Sequence, residues 1–348
     1  MRKMATIRKI DEVRPIPDAD AIECAVVGGW TVVIKKGEFK AGDVAVYCEI
    51  DSWIPTALAP FLSKGQEPRV YDGIRGERLR TVKLRGQLSQ GLLLRYWDFP
   101  KVVDAFHQTR LASNEPFDVT EILGIVKYDP PVPAHLAGEV RGLFPTFIPK
   151  TDQERIQNLR TEFAQWQADK VTWEVTEKLD GSSMTVYANE DDYGVCSRNL
   201  NLKETEGNTL WKVAHRDQII SAIFESGRNL AVQGEIVGEG IQGNPYKIKG
   251  QSFYTFDIYD IDARRYFNPV ERNEFCELYQ LLHVPVVAFS AEPYDTLGIV
   301  TIADMLKFAE GKSDLNAQTE REGVVFKAHS LDQSFKAISN RFLLKSKD

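Results

Sequence analysis

The segment Glu177-Lys178-Leu179-Asp180-Gly181-Ser182-Ser183 holds a lysine at the end of an alternating stretch, Val171, Trp173 and Val175, that reads as a strand. Asp180-Gly181 then permits a tight turn, so the strand end can present the Lys178 amine to a pocket, with the hydroxyls of Ser182 and Ser183 beside it. An amine with a reference pKa of about 10.4 is a poor nucleophile while protonated. Burial or cationic neighbours must lower that value before the lysine can attack near neutral pH. A lysine followed by Asp-Gly also matches many solvated surface turns, so the rest of the chain must decide.

The elements that would position this lysine can be read coarsely. A chain of 348 residues is long enough for two domains, each with its own core. No apolar run reaches the length of a membrane span, and no apolar stretch follows the basic start, so neither a membrane protein nor a secreted one is expected. Cys24, Cys48, Cys196 and Cys276 are scattered, without zinc spacing, which points to buried thiols in a reducing, intracellular and cytoplasmic setting.

Residues 1–128 read as all-β. Cys24–Val27, Trp30–Ile34 and Val44–Tyr47 are short strands, and Gly28-Gly29 and Gly42-Asp43 are turns, as in a small closed barrel. Prolines at 130, 131, 133, 145 and 149 mark 129–150 as a linker. Within 151–348, Thr151-Asp152-Gln153-Glu154 has the pattern of a capping box and predicts a helix with Ile156, Leu159, Phe163 and Trp166 as its buried stripe. Strands are predicted at 184–187, 230–237, 253–261, 284–289 and 323–327, and helices at 271–283 and 302–310. This order favours an antiparallel α+β domain.

Downstream of Lys178 come Ser197-Arg198-Asn199, Gly234-Glu235-Ile236-Val237-Gly238 and Phe256-Asp257-Ile258-Tyr259. Glu322-Gly323-Val324-Val325-Phe326-Lys327 and Phe335-Lys336-Ala337-Ile338 follow. In order and rough spacing this series resembles the motifs of the covalent lysine nucleotidyltransferases, the polynucleotide ligases and mRNA capping enzymes, over roughly Thr151 to the C-terminus. The resemblance implies that Lys178 is the nucleophile and that Lys327 and Lys336 hold the triphosphate and, with a bound metal, supply a positive field. Asp180, Glu235 and Glu322 would orient the water shell of Mg²⁺ or Mn²⁺, which would neutralise charge building on the α-phosphate of ATP. Phe256 and Val325 would sandwich the adenine, and Glu177 would accept from its amino group. Arg198 would contact ribose and phosphate, and Arg155 would be a further nucleotide contact. For Phe256 a plain core aromatic, and for Arg155 a helix-surface ion pair, are equally open readings.

DNA ligases carry arginine where this chain has Ser183, whereas RNA ligases carry small hydroxyl residues there. Only a short tail, Arg341 to Asp348, follows the last motif, so the C-terminal module of capping enzymes and DNA ligases is not expected. The chain therefore resembles ATP-dependent RNA ligases of the type typified by Deinococcus, in which an OB-fold precedes the nucleotidyltransferase domain. Many RNA ligases have a second lysine where Ile338 stands, so Lys336 would work alone or with Lys345. From Lys64 to Arg95 eight basic residues face only Glu67, Asp72 and Glu77, within a chain of net charge −7, the pattern of a local track for a phosphate backbone. The expected partner is nicked or broken RNA on an RNA–DNA or DNA-templated duplex, and a monomer is expected. A GTP-using capping guanylyltransferase and an RNA-binding protein with a degenerate catalytic domain are the alternatives.

Overall fold

The computed structural model describes residues 2–109, 116–129, 138–190, 192–330 and 332–345. The chain divides into two compact units, Met1–Pro131 and Val132–Asp348.

In the first unit, short antiparallel strands enclose a core that includes Met4, Ile7, Val46, Ile54 and Val119. Leu92–Leu94, Val44–Cys48, Ala5–Lys9 and Phe117–Asp118 form one sheet; Val126–Lys127, Ser52–Pro55, Ile74–Arg78 and Arg69–Tyr71 form another. Glu12–Pro15, Ile22–Val27 and Trp30–Lys35 form a third. One helix, Pro100–Thr109, interrupts the predicted all-β pattern and buries Val102.

The second unit has two sheets. The larger runs, in spatial order, Val140–Leu143, Leu200–Leu202, Tyr193–Ser197, Ser182–Ala188, Leu230–Gly238, Gln251–Asp260 and Arg265–Tyr266, all antiparallel. Its core packs Val186, Val232 and Ile258 with Trp211, Ile219, Ile223 and Phe275 from three helices, Thr209–Arg216, Ile219–Glu225 and Pro269–Leu278. The smaller sheet orders Glu154–Arg155, Ser334–Ile338, Gly323–Ala328, Trp173–Lys178 and Val286–Ala291. Helices Arg160–Ala168 and Ile302–Ala309 cover its Trp173, Val175, Phe326 and Phe335 face. The antiparallel α+β reading therefore holds.

Three sequence expectations change. The linker assigned to 129–150 is shorter: 130–137 lie outside the described residues, but Val140–Leu143 is a strand of the larger sheet, and Phe144 and Ile148 are buried against Tyr187 and Tyr259. Burial of those two side chains draws the segment into the second unit despite its prolines. The capping box at Thr151–Glu154 starts no helix. Glu154 Oε1 instead accepts from the Arg155 amide and Asn158, and Glu154–Arg155 pairs in parallel with Phe335 and Lys336. The helix predicted at 271–283 runs Pro269–Leu278, opened by a capping box of Asn268 and Glu271. It stops because Gln280 is left-handed and His283 bridges to Thr255. Among the described residues no helix is long and apolar enough to cross a membrane.

Candidate active site

Lys178 ends the strand of the smaller sheet that lies between Gly323–Ala328 and Val286–Ala291, and Ser182 opens a strand of the larger one. Lys178-Leu179-Asp180-Gly181 is thus the crossing between the two sheets. Its conformation is held from three sides. Leu179 is buried with Val237, Tyr246 and Val284; the Asp180 amide donates to Tyr246 Oη at 2.6 Å; the Gly181 amide donates to Glu235 Oε1 at 3.1 Å. Tyr246 lies far along the chain in a glycine-rich loop, and no sequence signal marked it.

Strand register decides which side chains share the site. Glu174 pairs with Lys327, Thr176 with Val325 and Lys178 with Gly323, while Val325 also pairs with Lys336. Because side chains alternate along a strand, Lys178, Val325, Lys327 and Lys336 occupy one face, opposite the aromatic core. Ser183 pairs with Glu235 on the larger sheet. Phe256 is the extra residue of a bulge, since Gln233 pairs with Asp257 but Gly234 with Thr255. A bulge re-aims the side chain it carries, and here the half-buried Phe256 ring lies 5.6 Å from Lys327 Nζ.

The Lys178 ammonium donates to Glu322 Oε2 at 2.7 Å. Burial pulls its pKa down, but the charges of Glu322, Glu235 and Asp180 outweigh burial and the net shift is upward. The expected positive field from Lys327 and Lys336 is therefore not what surrounds the resting amine. Lys327 is paired with Asp257 Oδ1 at 2.5 Å and donates to the Phe256 carbonyl, and Lys336 lies 3.1 Å from Asp152 Oδ1. Burial, together with the carboxylates of Glu322 and Asp180, pushes the Glu235 pKa up to about 8 against the opposing pull of Lys178. Three carboxyl groups gathered at one ammonium make an oxygen-rich set, which suits a hard divalent cation. Among the described residues no three Asp, Glu, His or Cys side chains converge closely enough to grip an ion directly. A cation held by Asp180, Glu235 and Glu322 would therefore have to keep its water shell between itself and them.

The remaining predicted residues fall as follows. Glu177 is buried, which raises its pKa; Oε2 accepts from the Asp314 amide at 2.9 Å, and Oε1 has no hydrogen-bond partner. Arg155 is buried beside Lys336 in register, not on a helix surface. Arg198 is exposed at the turn after Tyr193–Ser197. Ile338 is buried, and Lys345 is exposed at the end of Asn340–Lys345.

Sequence reasoning missed the charged layer behind Lys327. The fully buried Arg272 pairs with Glu174, donates from Nε to His283 Nε2 at 2.9 Å, and has Nη1 3.8 Å from Asp257. Burial and the Arg272 charge lower the His283 pKa to about 3. The unfolded chain binds that proton near pH 6.5, so stability is full above 6.5 and falls as pH drops toward 3. His283→Gln should therefore lose about 2 kcal/mol less stability than wild type between pH 7 and 5, or roughly 4–8 °C in Tm by calorimetry. Parallel Tm curves would remove His283 as the cause.

A family model described as RNA ligase matches residues 171–345, and an OB-fold domain model matches residues 4–96. The structure of a Naegleria gruberi RNA ligase mutant with AMP and Mn shares 49% identity with this chain. It superposes with a TM-score of 0.88, covering 99% of each chain.

The chain belongs to the RNA ligase family.

A second mutant of the same ligase, with ATP and Mn, is 50% identical over 99% of each chain at a TM-score of 0.87. The complex of that ligase with PPi is 50% identical at a TM-score of 0.86, covering 99% of this chain and 98% of the other. No match was found among curated proteins. This RNA ligase is thus an N-terminal OB-fold domain joined to a nucleotidyltransferase domain.

Proposed function

We propose that this RNA ligase uses ATP and a divalent metal ion, Mg²⁺ or Mn²⁺, to join 3′-hydroxyl and 5′-phosphate RNA ends in three steps. The Lys178 amine attacks the α-phosphorus of ATP; a phosphoramidate N–P bond forms, the bond to pyrophosphate breaks, and the amine proton is released. A 5′-phosphate oxygen then displaces Lys178 and takes the AMP. The RNA 3′-hydroxyl finally attacks that 5′-phosphorus, releasing AMP and forming the phosphodiester.

The observation that carries this reading is Lys178 at the sheet crossing, held at Glu322 among three carboxylates. In the resting state those carboxylates keep the amine protonated and immobile. A divalent cation held by Asp180, Glu235 and Glu322 would cancel their charge and stabilise charge on the α-phosphate. Lys327 and Lys336 are assigned to the phosphates, Phe256 and Val325 to the faces of the adenine. The open Glu177 Oε1 is assigned to the adenine amino group. Arg155 and Arg198 are placed with the nucleotide, and Ser183 beside Glu235.

For the OB-fold domain we assign RNA binding. Of its basic track, Arg69, Arg75, Arg78 and Arg95 are paired with Glu77, Glu67, Asp51 and Asp98. In the hairpin of Val82–Leu84 and Gln87–Ser89, residues 82–86 are exposed around the turn at Arg85-Gly86, and among the described residues neither Lys83 nor Arg85 is in an ion pair. Lys83→Ala with Arg85→Ala should weaken RNA binding by about tenfold at low salt and reduce the salt slope by roughly 1–2. An unchanged slope would place the RNA elsewhere. The substrate is assigned as a nick or break held on a duplex, sealed by a monomer. Four buried free thiols suit a reducing intracellular compartment. The test is a set of nicked duplexes with RNA or DNA on each side of the nick, together with protein labelling by ATP or GTP. Sealing of RNA nicks with ATP supports the reading; labelling by GTP alone, or sealing only of DNA, overturns it.

A further inference from the structure

Two cations share the Asp257 carboxylate. Lys327 Nζ holds its Oδ1 at 2.5 Å, and Arg272 Nη1 stands 3.8 Å from the same oxygen. The Arg272 guanidinium is fully buried and otherwise committed: one arm to Glu174, Nε to His283, and Glu174 also accepts from Asn273 at 2.8 Å. His283 can accept because its Nδ1 donates to the Val284 carbonyl, leaving Nε2 as a lone pair. Only Nη1 lacks an acceptor within hydrogen-bond reach, and it faces Asp257. A buried donor without a partner is costly, and its retention beside a carboxylate calls for a reason.

The reason lies in what Lys327 must do. Its ammonium is tied to Asp257 and to the Phe256 carbonyl, so it cannot also neutralise a phosphate. Lys327, Asp257, Lys150 and Arg265 line one open pocket, so Lys327 has space to move into. If it left, Asp257 would remain as a buried anion with only the Arg272 guanidinium, 3.8 Å away and outside hydrogen-bond reach, beside it; without that cation the state would be costly enough to keep Lys327 where it is. We infer that Arg272 is a positioning residue that takes over the Asp257 carboxylate when Lys327 leaves it for a phosphate of the bound nucleotide. The Glu174 and His283 contacts fix the guanidinium so that closing the gap needs only a small shift of Asp257. This rests on the proposed phosphate role of Lys327.

The test is equilibrium binding of ATP, by calorimetry, to Lys178→Ala protein, which cannot consume the nucleotide. Glu174→Gln serves as the parent, so that removing the arginine leaves no buried carboxylate at position 174. Adding Arg272→Met should weaken ATP binding about tenfold or more. Adding Asp257→Asn to that variant should restore binding to within roughly threefold of the parent, because no anion is then left to cover. No recovery with Asp257→Asn, or no loss with Arg272→Met, overturns the inference. Should Arg272→Met fail to fold, Arg272→Lys keeps the charge but shortens the reach. It should weaken ATP binding severalfold and recover with Asp257→Asn, and equal affinities would again overturn the inference. Lys327→Ala separates the two levels. Unchanged ATP binding there defeats the phosphate role itself, whereas weakened binding with no Arg272–Asp257 coupling defeats only the exchange.

Discussion

Lys178→Ala leaves no radiolabel on the protein after incubation with α-labelled ATP and Mg²⁺, a loss of about a thousandfold or more. In the proposed reaction the covalent bond is made to this Nζ, and no other lysine is placed to substitute. Lys327 is committed to Asp257, and Lys336 lies against Asp152. Moving the attack point by even 1 Å costs on the order of a hundredfold. The variant should still fold. Its truncation leaves Glu322 without its ammonium, but the Glu322 side chain retains some contact with solvent, 16% exposed, and the strand keeps its pairing with Gly323–Ala328. Measuring Tm beside the label separates loss of the nucleophile from loss of the fold. So does the sealing of RNA that already carries a 5′-AMP, since the last step breaks no bond to Lys178. Label on the alanine variant at the wild-type rate would sink the assignment of the nucleophile.

Gly181→Ala is expected to lower the single-turnover rate of adenylylation by about a hundredfold, with Lys178 and all three carboxylates intact. A Cβ built on Gly181 would lie 2.7 Å from Val237 Cγ1, 2.9 Å from Glu235 Cγ and closer still to the Ile236 carbonyl oxygen. The last of these is backbone in the middle of a sheet and cannot move aside cheaply. The crossing must give way instead. It would lose the Gly181 amide bond to Glu235 and shift the Asp180 amide from Tyr246. Gly142→Ala is the control: a Cβ there meets nothing within 4 Å. It should label at a rate within about twofold of wild type, as surface substitutions away from special features usually do. Equal rates for the two variants would show that the close approach at Gly181 does not set the geometry of the nucleophile.

Much of the site was legible because its parts are short and local. Lysine, Asp-Gly turn and serines are consecutive. Glu235 and Glu322 each adjoin a glycine whose missing Cβ lets a neighbouring strand come close, at Tyr254 for Gly234 and Ala337 for Gly323. The alternation that placed Val325 and Lys327 on one face also survives folding unchanged. Legibility failed where burial competed with a local signal. Thr151–Glu154 has the residues of a capping box, yet Arg155 is drawn into a sheet beside Lys336. The stretch around Pro145 and Pro149 resembles a linker, yet Phe144 and Ile148 fasten it to the larger sheet. The helices Thr209–Arg216 and Ile219–Glu225 were not anticipated, although Asn208 caps the first by accepting from the Leu210 and Trp211 amides.

By itself the sequence determined the groups available to the proposed chemistry: a lysine before an Asp-Gly turn, carboxylates beside glycines, two further lysines and a preceding β-rich domain. Those follow from residue types in a fixed order, and order is what a sequence records. Only the tertiary structure decided the charge state of that chemistry. Glu322 reaches Lys178 from 144 positions away, and Arg272 reaches Glu174 from 98. Coulomb interactions depend on separation in space and on the water excluded between the charges, and neither is written along the chain. Hence the lysine expected, from the family resemblance, to sit among cations rests among carboxylates. The cation expected at the phosphates waits on Asp257, with Arg272 behind it.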